Sequence, residues 1–134
     1  MSSKHVKSAW VTKWIKNDKP WGHEMVWSSF AAGHGKMLFL KSGHRTSLKF
    51  NPQKNESLVV ISGRVEALFG DELTVGDEIA HPWKTEVLEP GMSLNVQSGC
   101  PYRLAALDDS TIVEIGNHLN DSPVRIDDDY GRTD

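Results

Sequence analysis

The chain is read as a single all-β domain, on three observations. Turn signals recur at short intervals: Gly22, Gly33-His34-Gly35, Ser42-Gly43, Ser62-Gly63, Gly70-Asp71, Gly76-Asp77, Pro90-Gly91, Ser98-Gly99 and Asp108-Asp109. Between them lie short segments rich in Val, Ile, Leu, Phe and Trp. No segment sustains a convincing helical period. Many short strands punctuated in this way predict a sandwich or a barrel.

The elements follow in order. Residues 1–18 form a basic extension carrying Lys4, Lys7, Lys13 and Lys16, and the one helix candidate lies here, around Ser8 to Ile15. The barrel is expected over 19–118. Met37-Leu38-Phe39-Leu40, Leu58-Val59-Val60-Ile61 and Thr111 to Ile115 read as buried strands. Val65, Ala67 and Phe69 alternate with polar residues, as do Met92, Leu94 and Val96. From Thr46 to Asn51, alternation puts Arg45, Ser47, Lys49 and Asn51 on one face, with Gln53 as its extension. Leu48 and Phe50 take the other face. The polar face either meets water or lines a cavity. Residues 119–134 form an acidic tail with Asp121, Asp127, Asp128, Asp129 and Asp134. Two solvated flanks of opposite sign predict weak mutual attraction.

Bulk properties narrow the class. A chain of 134 residues supports one domain with a real core. The net charge of −3 argues against a nucleic-acid partner. The single cysteine, Cys100, excludes an intramolecular disulfide and a multi-cysteine zinc site, and it suits the cytoplasm. The opening MSSKHVKSAW has no apolar signal core, and no apolar run is long enough to span a bilayer.

Three motifs carry a resemblance. Lys19-Pro20-Trp21-Gly22-His23-Glu24 opens the domain. Arg45-Thr46-Ser47-Leu48-Lys49-Phe50 is followed by Glu56 and Gly63. Val124 to Arg132 closes it with Asp128-Asp129-Tyr130-Gly131-Arg132. Together they resemble the C-terminal cupin domain of type II phosphomannose isomerases, the mannose-6-phosphate isomerase and mannose-1-phosphate guanylyltransferase enzymes. The resemblance runs from about Lys19 to Arg132 and implies a single cupin-type double-stranded β-helix, a jelly-roll barrel with extensions at both ends. The paired cupin signatures map to Gly43–Gly63 and Gly91–Tyr102. There the resemblance implies three metal histidines and a glutamate. This chain carries Asn51, Gln53 and Tyr102 at the histidine positions and keeps only Glu56.

The expected chemistry follows from that exchange. Aldose–ketose isomerisation needs a base near C2, a stabiliser for the developing oxyanion and a cation for the phosphate. Amide and phenol oxygens make a poor transition-metal cage, so no transition-metal cofactor is expected; a hard divalent cation would be held weakly. Glu56 is the candidate base, or else an ordinary ion-pair partner of Lys54 or Arg64. Lys49, if it points inward, needs an anion, which a phosphate or Glu56 itself would supply. Arg132 either closes over a phosphate or belongs to a frayed tail. Tyr102 either donates to a ligand hydroxyl or plugs the cavity. Asn51 and Gln53 complete the candidate substrate contacts. His23, His34, His44, His81 and His118 read as solvated loop histidines, and Gly33-His34-Gly35-Lys36 is too short for a phosphate loop. Trp14, Trp21, Trp27 and Trp83 read as core or dimer contacts. The expected partners are a small sugar or sugar phosphate and a second copy of the chain. Three functions stay open: a hexose-phosphate isomerase, a non-catalytic sugar- or sugar-nucleotide-binding cupin, and a structural barrel with a filled cavity.

Overall fold

The computed structural model describes residues 6–28, 30, 33–117 and 122–132. Among them the chain forms β1 (Ile15–Lys19), β2 (Gly22–Val26), β3 (His34–Leu40), β4 (Leu48–Phe50), β5 (Glu56–Ser62), β6 (Val65–Phe69), β7 (Lys84–Leu88), β8 (Ser93–Val96), β9 (Tyr102–Ala106), β10 (Ser110–Gly116) and β11 (Val124–Asp127). One sheet runs β1-β2-β3-β10-β5-β8 and the other β11-β4-β9-β6-β7, with antiparallel pairing throughout. This is the all-β architecture that the turn spacing and alternation predict, in the jelly-roll form that the resemblance implies.

The helix expected around Ser8 to Ile15 does not form: residues 6–14 are irregular and exposed, and Ile15 opens β1. Val11 and Thr12 are β-branched, and the apolar side chains of this stretch (Val6, Trp10, Val11 and Trp14) stay exposed, so no packing offsets the cost of a short helix. The 18/19 boundary runs through β1, and the tail contributes β11. Part of each flank therefore pairs into the sheets. Lys4, His118, Asp121 and Asp134 lie outside the described residues. No described helix is long and apolar enough to cross a membrane.

The core lies between the sheets and is built by alternation. Leu38, Leu40, Leu58, Val60, Val65, Ala67, Leu104, Ala106 and Ile112 are all buried and face inward. Each exposed position between two inward ones faces solvent, as period two requires. Polarity then changes along the same inward faces. On β3, Leu40 and Leu38 give way to Lys36 and His34. On β10, Ile112 gives way to Glu114, and on β5, Val60 and Leu58 give way to Glu56. The ladder aligns these changes: Lys36 sits opposite Glu114, and Gly116 sits opposite both His34 and Glu56. One end of the barrel is an apolar core and the other is a polar chamber.

A polar cavity at one end of the barrel

Strand β4 and the residue on each side of it carry three inward side chains into the chamber. Lys49 lies directly across the ladder from Tyr102 of β9 and from Arg125 of β11. Opposite residues of a pair share a face, so all three point the same way. Ser47, Lys49 and Asn51 line the cavity, as strand parity predicts. Arg45 departs from that parity. It precedes the strand proper, touches β9 only through an isolated bridge to Ala105, and donates outward to Asp129 at 2.7 Å. Gln53 falls in the bend after the strand, is exposed, and is not among the lining side chains.

The cavity holds about 280 Å³. Six basic side chains line it (Lys19, Lys36, Lys49, Lys54, Arg125 and Arg132) against three acidic ones, Glu24, Glu56 and Glu114. Beneath it lies a void of about 30 Å³ whose walls include Leu38, Leu58, Leu104 and Tyr102. Trp21, Lys36, Lys49 and Glu114 border both spaces. These four form the floor, where polar chamber meets apolar core. Lys19, Lys54, Arg125 and Arg132 border the upper space alone.

Glu56 is the hub. Its Oε1 accepts from Asn51 Nδ2 at 2.7 Å and from the Tyr102 hydroxyl at 2.8 Å. Its Oε2 lies 3.5 Å from Lys54 Nζ and 3.8 Å from His34 Nε2. Burial, then the charge of Glu114, pushes the Glu56 carboxyl above its ordinary value. Glu114 goes the other way. Burial opposes its ionisation, but the charge of Lys36 and the hydrogen bond to His34 outweigh it, and its carboxyl sits well below the usual range. His34 Nε2 is 2.7 Å from Glu114 Oε2, and Lys36 Nζ is 3.6 Å from the same oxygen. Gly116 makes room for this pair, because any β-carbon there would meet the imidazole ring at 2.1 Å.

The lysines are paired unequally. Lys36 reaches Glu24 at 2.9 Å, Lys19 reaches Glu24 at 3.2 Å, and Lys54 reaches Glu56. Lys49 has no carboxylate within 4.0 Å among the described residues. Its Nζ lies 5.5 Å from the Tyr102 ring centroid instead. Burial lowers its pKa despite the attraction of Glu114 and Glu56. Tyr102 is 2 % exposed, and burial raises its phenol well above the ordinary value. It walls the void beneath the floor and is not among the side chains lining the cavity, combining packing with hydrogen-bond donation to Glu56.

Arg132 turns back to line the cavity. Its guanidinium donates to Asp128 at 3.0 and 3.1 Å and lies over the Tyr130 ring. Its neighbours pair outward: Asp127 takes Arg103 at 3.1 Å and Asp129 takes Arg45. Among the described residues, Asp127 and Asp129 of the acidic tail are thus held by arginines of the barrel. Of the two ion pairs considered for Glu56, Lys54 forms one, while Arg64 pairs with Asp108.

Metal binding is tested by the donors present. Of the three exchanged positions only Asn51 lines the cavity, while Tyr102 lies beneath its floor and Gln53 is exposed. These positions do not assemble a cage. His34, Glu56 and Glu114 offer three ligand atoms within 4.8 Å of one another. Yet Lys36 and Lys54 already neutralise the two carboxylates, with Lys49 close by, so a dication there meets like charge. The residues fit an ion-paired polar chamber better than a metal centre.

Sequence reading missed His34, Lys36, Glu24, Glu114 and Arg125 as site residues. His34 is not a solvated loop histidine; it sits on β3, 8 % exposed. The available signal was parity with Leu38 and Leu40, obscured by the flanking glycines. Cys100 is a partly buried free thiol whose pKa is pushed up by burial and then by the charges of Glu72 and Asp71. A second, larger hollow of about 510 Å³ lies against Trp10, Trp27 and Phe30, and among the described residues no titratable side chain lines it.

The fold is shared with several solved structures. The solved structure of KdgF from Halomonas sp. matches with a TM-score of 0.65 at 12% identity, covering 81% of this chain and 89% of that one. The capsular polysaccharide assembling protein CapF from Staphylococcus aureus matches with a TM-score of 0.70 at 16% identity, covering 87% of this chain. This chain spans 32% of CapF. Procruciferin, an 11S globulin from Brassica napus, matches with a TM-score of 0.65 at 14% identity, over 81% of this chain and 28% of that one. At these identities the likeness is one of fold. No protein-family model matches the sequence, and no curated protein matches it significantly.

Proposed function

We propose that the chain binds a phosphorylated sugar in the polar cavity and interconverts its aldose and ketose forms, in the manner of a mannose-6-phosphate isomerase. The observation that carries this reading is the charge of the chamber, six basic side chains against three acidic ones. Such an excess calls for an anionic ligand. A volume of about 280 Å³ lies at the small end of ligand cavities, which suits a monosaccharide phosphate better than a sugar nucleotide. The upper cations suit the phosphate, because guanidinium forks match its oxygens. Ser47 and Asn51 offer partners for sugar hydroxyls. Glu56 is the base, since its raised pKa moves toward the range a proton acceptor needs near neutrality. Lys36 and Lys49 face the oxyanion that develops at the floor. No transition-metal cofactor belongs to this reading.

Two features support a sugar ligand without settling its chemistry. CapF is described as a capsular polysaccharide assembling protein, and the three sequence motifs resemble a sugar-phosphate enzyme. Pairing of two chains through the exposed Trp10, Trp14 and Trp27 is part of the proposal.

The test is solvent deuterium exchange at C2 of mannose 6-phosphate, followed by NMR. Incorporation is expected in the wild type. No incorporation, even with added magnesium, calcium, manganese or zinc, overturns the isomerase. If mannose 6-phosphate still binds, the non-catalytic sugar-binding cupin replaces it. The double hydrogen bond on Glu56 Oε1 favours that second reading, because it restrains the proposed base.

A further inference from the structure

The family resemblance implies a metal as electrophile, and this chain has exchanged the histidines that would hold one. The floor of the cavity offers a different electrophile. Lys49 is deep, borders the apolar void, faces the ligand space, and has no carboxylate within 4.0 Å among the described residues. The other floor lysine, Lys36, is tied to Glu24 and Glu114. In a chamber with excess positive charge, the unpaired and desolvated ammonium is the one that gives up its proton most readily. The direction of the Lys49 shift agrees with this geometry.

We infer that Lys49 is a carbonyl-reactive amine that condenses with the open-chain aldehyde or ketone of a small hydroxy-carbonyl compound in the cavity. The nitrogen lone pair attacks the carbonyl carbon, and the C–O π electrons move to oxygen, giving a carbinolamine. The C–O bond then breaks and the oxygen leaves as water. One proton of that water comes from the nitrogen and one from the Glu56 carboxyl. The products are an iminium on Lys49, a Glu56 carboxylate and water, so atoms and charge balance. The iminium draws electrons from the neighbouring carbon, and the carboxylate just formed is placed to take that carbon's proton. The amine's reactivity stands on its own; its use in isomerisation rests on the reading above.

The experiment uses the full chain with glycolaldehyde and cyanoborohydride at pH 7, followed by peptide mapping. Glycolaldehyde carries no phosphate, so failure to bind an anion cannot mask the result. Hydride trapping of the iminium is expected to label Lys49 several-fold faster than the exposed Lys13 and Lys41. Urea should erase that preference, and Lys49→Arg should remove the fast-labelled site. Should Lys49→Arg fold poorly, trace labelling of the wild type with acetic anhydride across pH decides the matter. Lys49 must then react ahead of Lys13 and Lys41 near neutrality. Equal labelling of all three, or protection of Lys49 in the folded chain, overturns the inference. C2 exchange that survives in Lys49→Arg would separate the two proposals: the isomerase reading would stand and the imine route would fail.

Discussion

The Tyr102 hydroxyl donates to Glu56 Oε1 at 2.8 Å and so ties β9, beneath the cavity floor, to the hub carboxylate on β5. Asn51 holds the same oxygen, so the bond is one of two. Tyr102→Phe removes it without removing the ring. The expected loss is about 1 kcal/mol of stability, read by urea unfolding, together with a further rise in the Glu56 pKa, read by carboxyl NMR. A Glu56 titration unchanged in Tyr102→Phe would show that the phenol does not hold the carboxylate.

Purified protein is expected to contain no stoichiometric transition metal. The histidine positions carry Asn51, Gln53 and Tyr102, and the nearby carboxylates already have lysine partners. Elemental analysis reading close to one zinc, iron, manganese or nickel per chain would refute this. Because Gln53 is exposed, Asn51→His with Tyr102→His should create as much metal affinity as the triple change including Gln53→His.

Lys49→Met is expected to stabilise the fold by about 1 kcal/mol, since it replaces a desolvated cation with an apolar chain of similar length. It also tests a pH slope. The folded lysine releases its proton below the ordinary value of 10.5, whereas the unfolded one holds it to that point. Between the two values the unfolded state binds more protons, so wild-type stability should rise with pH there. Urea midpoints across the alkaline range should show the rise in wild type and not in Lys49→Met. A wild-type midpoint flat through that window would mean the amine is not depressed.

Glu114→Gln should destabilise by about 3 kcal/mol, because it leaves Lys36 without its floor partner and breaks the pair with His34. The acid side has a definite sign. Glu114 has a folded value below its ordinary 4.5, so its contribution is whole above 4.5 and drains away as pH falls below it. Acid unfolding midpoints should therefore shift less with pH in Glu114→Gln. If the two proteins lose stability in parallel below that point, Glu114 is not the group responsible.

Much of the frame was readable because period two survives in the sequence. Leu58 and Val60, Val65 and Ala67, and Leu94 and Val96 announce their own strands. Lys49, Asn51 and Glu56 were readable as site candidates for the same reason, together with the motif spacing. Glu114 was hidden, since it sits within Thr111 to Ile115, an apolar run that reads as core, and its imidazole partner lies 80 residues away. His34 and Lys36 were hidden by glycines that mimic a loop. Arg45 was misplaced because alternation was extended past the start of β4, where the backbone no longer keeps it.

The division of the barrel into an apolar end and a polar chamber has a consequence for redesign. Ile112 and Glu114 share a strand, yet one secures the core and the other addresses a ligand. Adhesion and recognition are thus stacked along the strand direction and are not interleaved. Inward positions at the polar end, such as Lys36, Asn51 and Arg125, form an addressable set that can be randomised together while Leu38, Leu58 and Leu104 keep the scaffold intact. A library confined to that set should yield mostly folded variants with altered ligand preference, which makes this small barrel a practical starting point for building new small-molecule receptors.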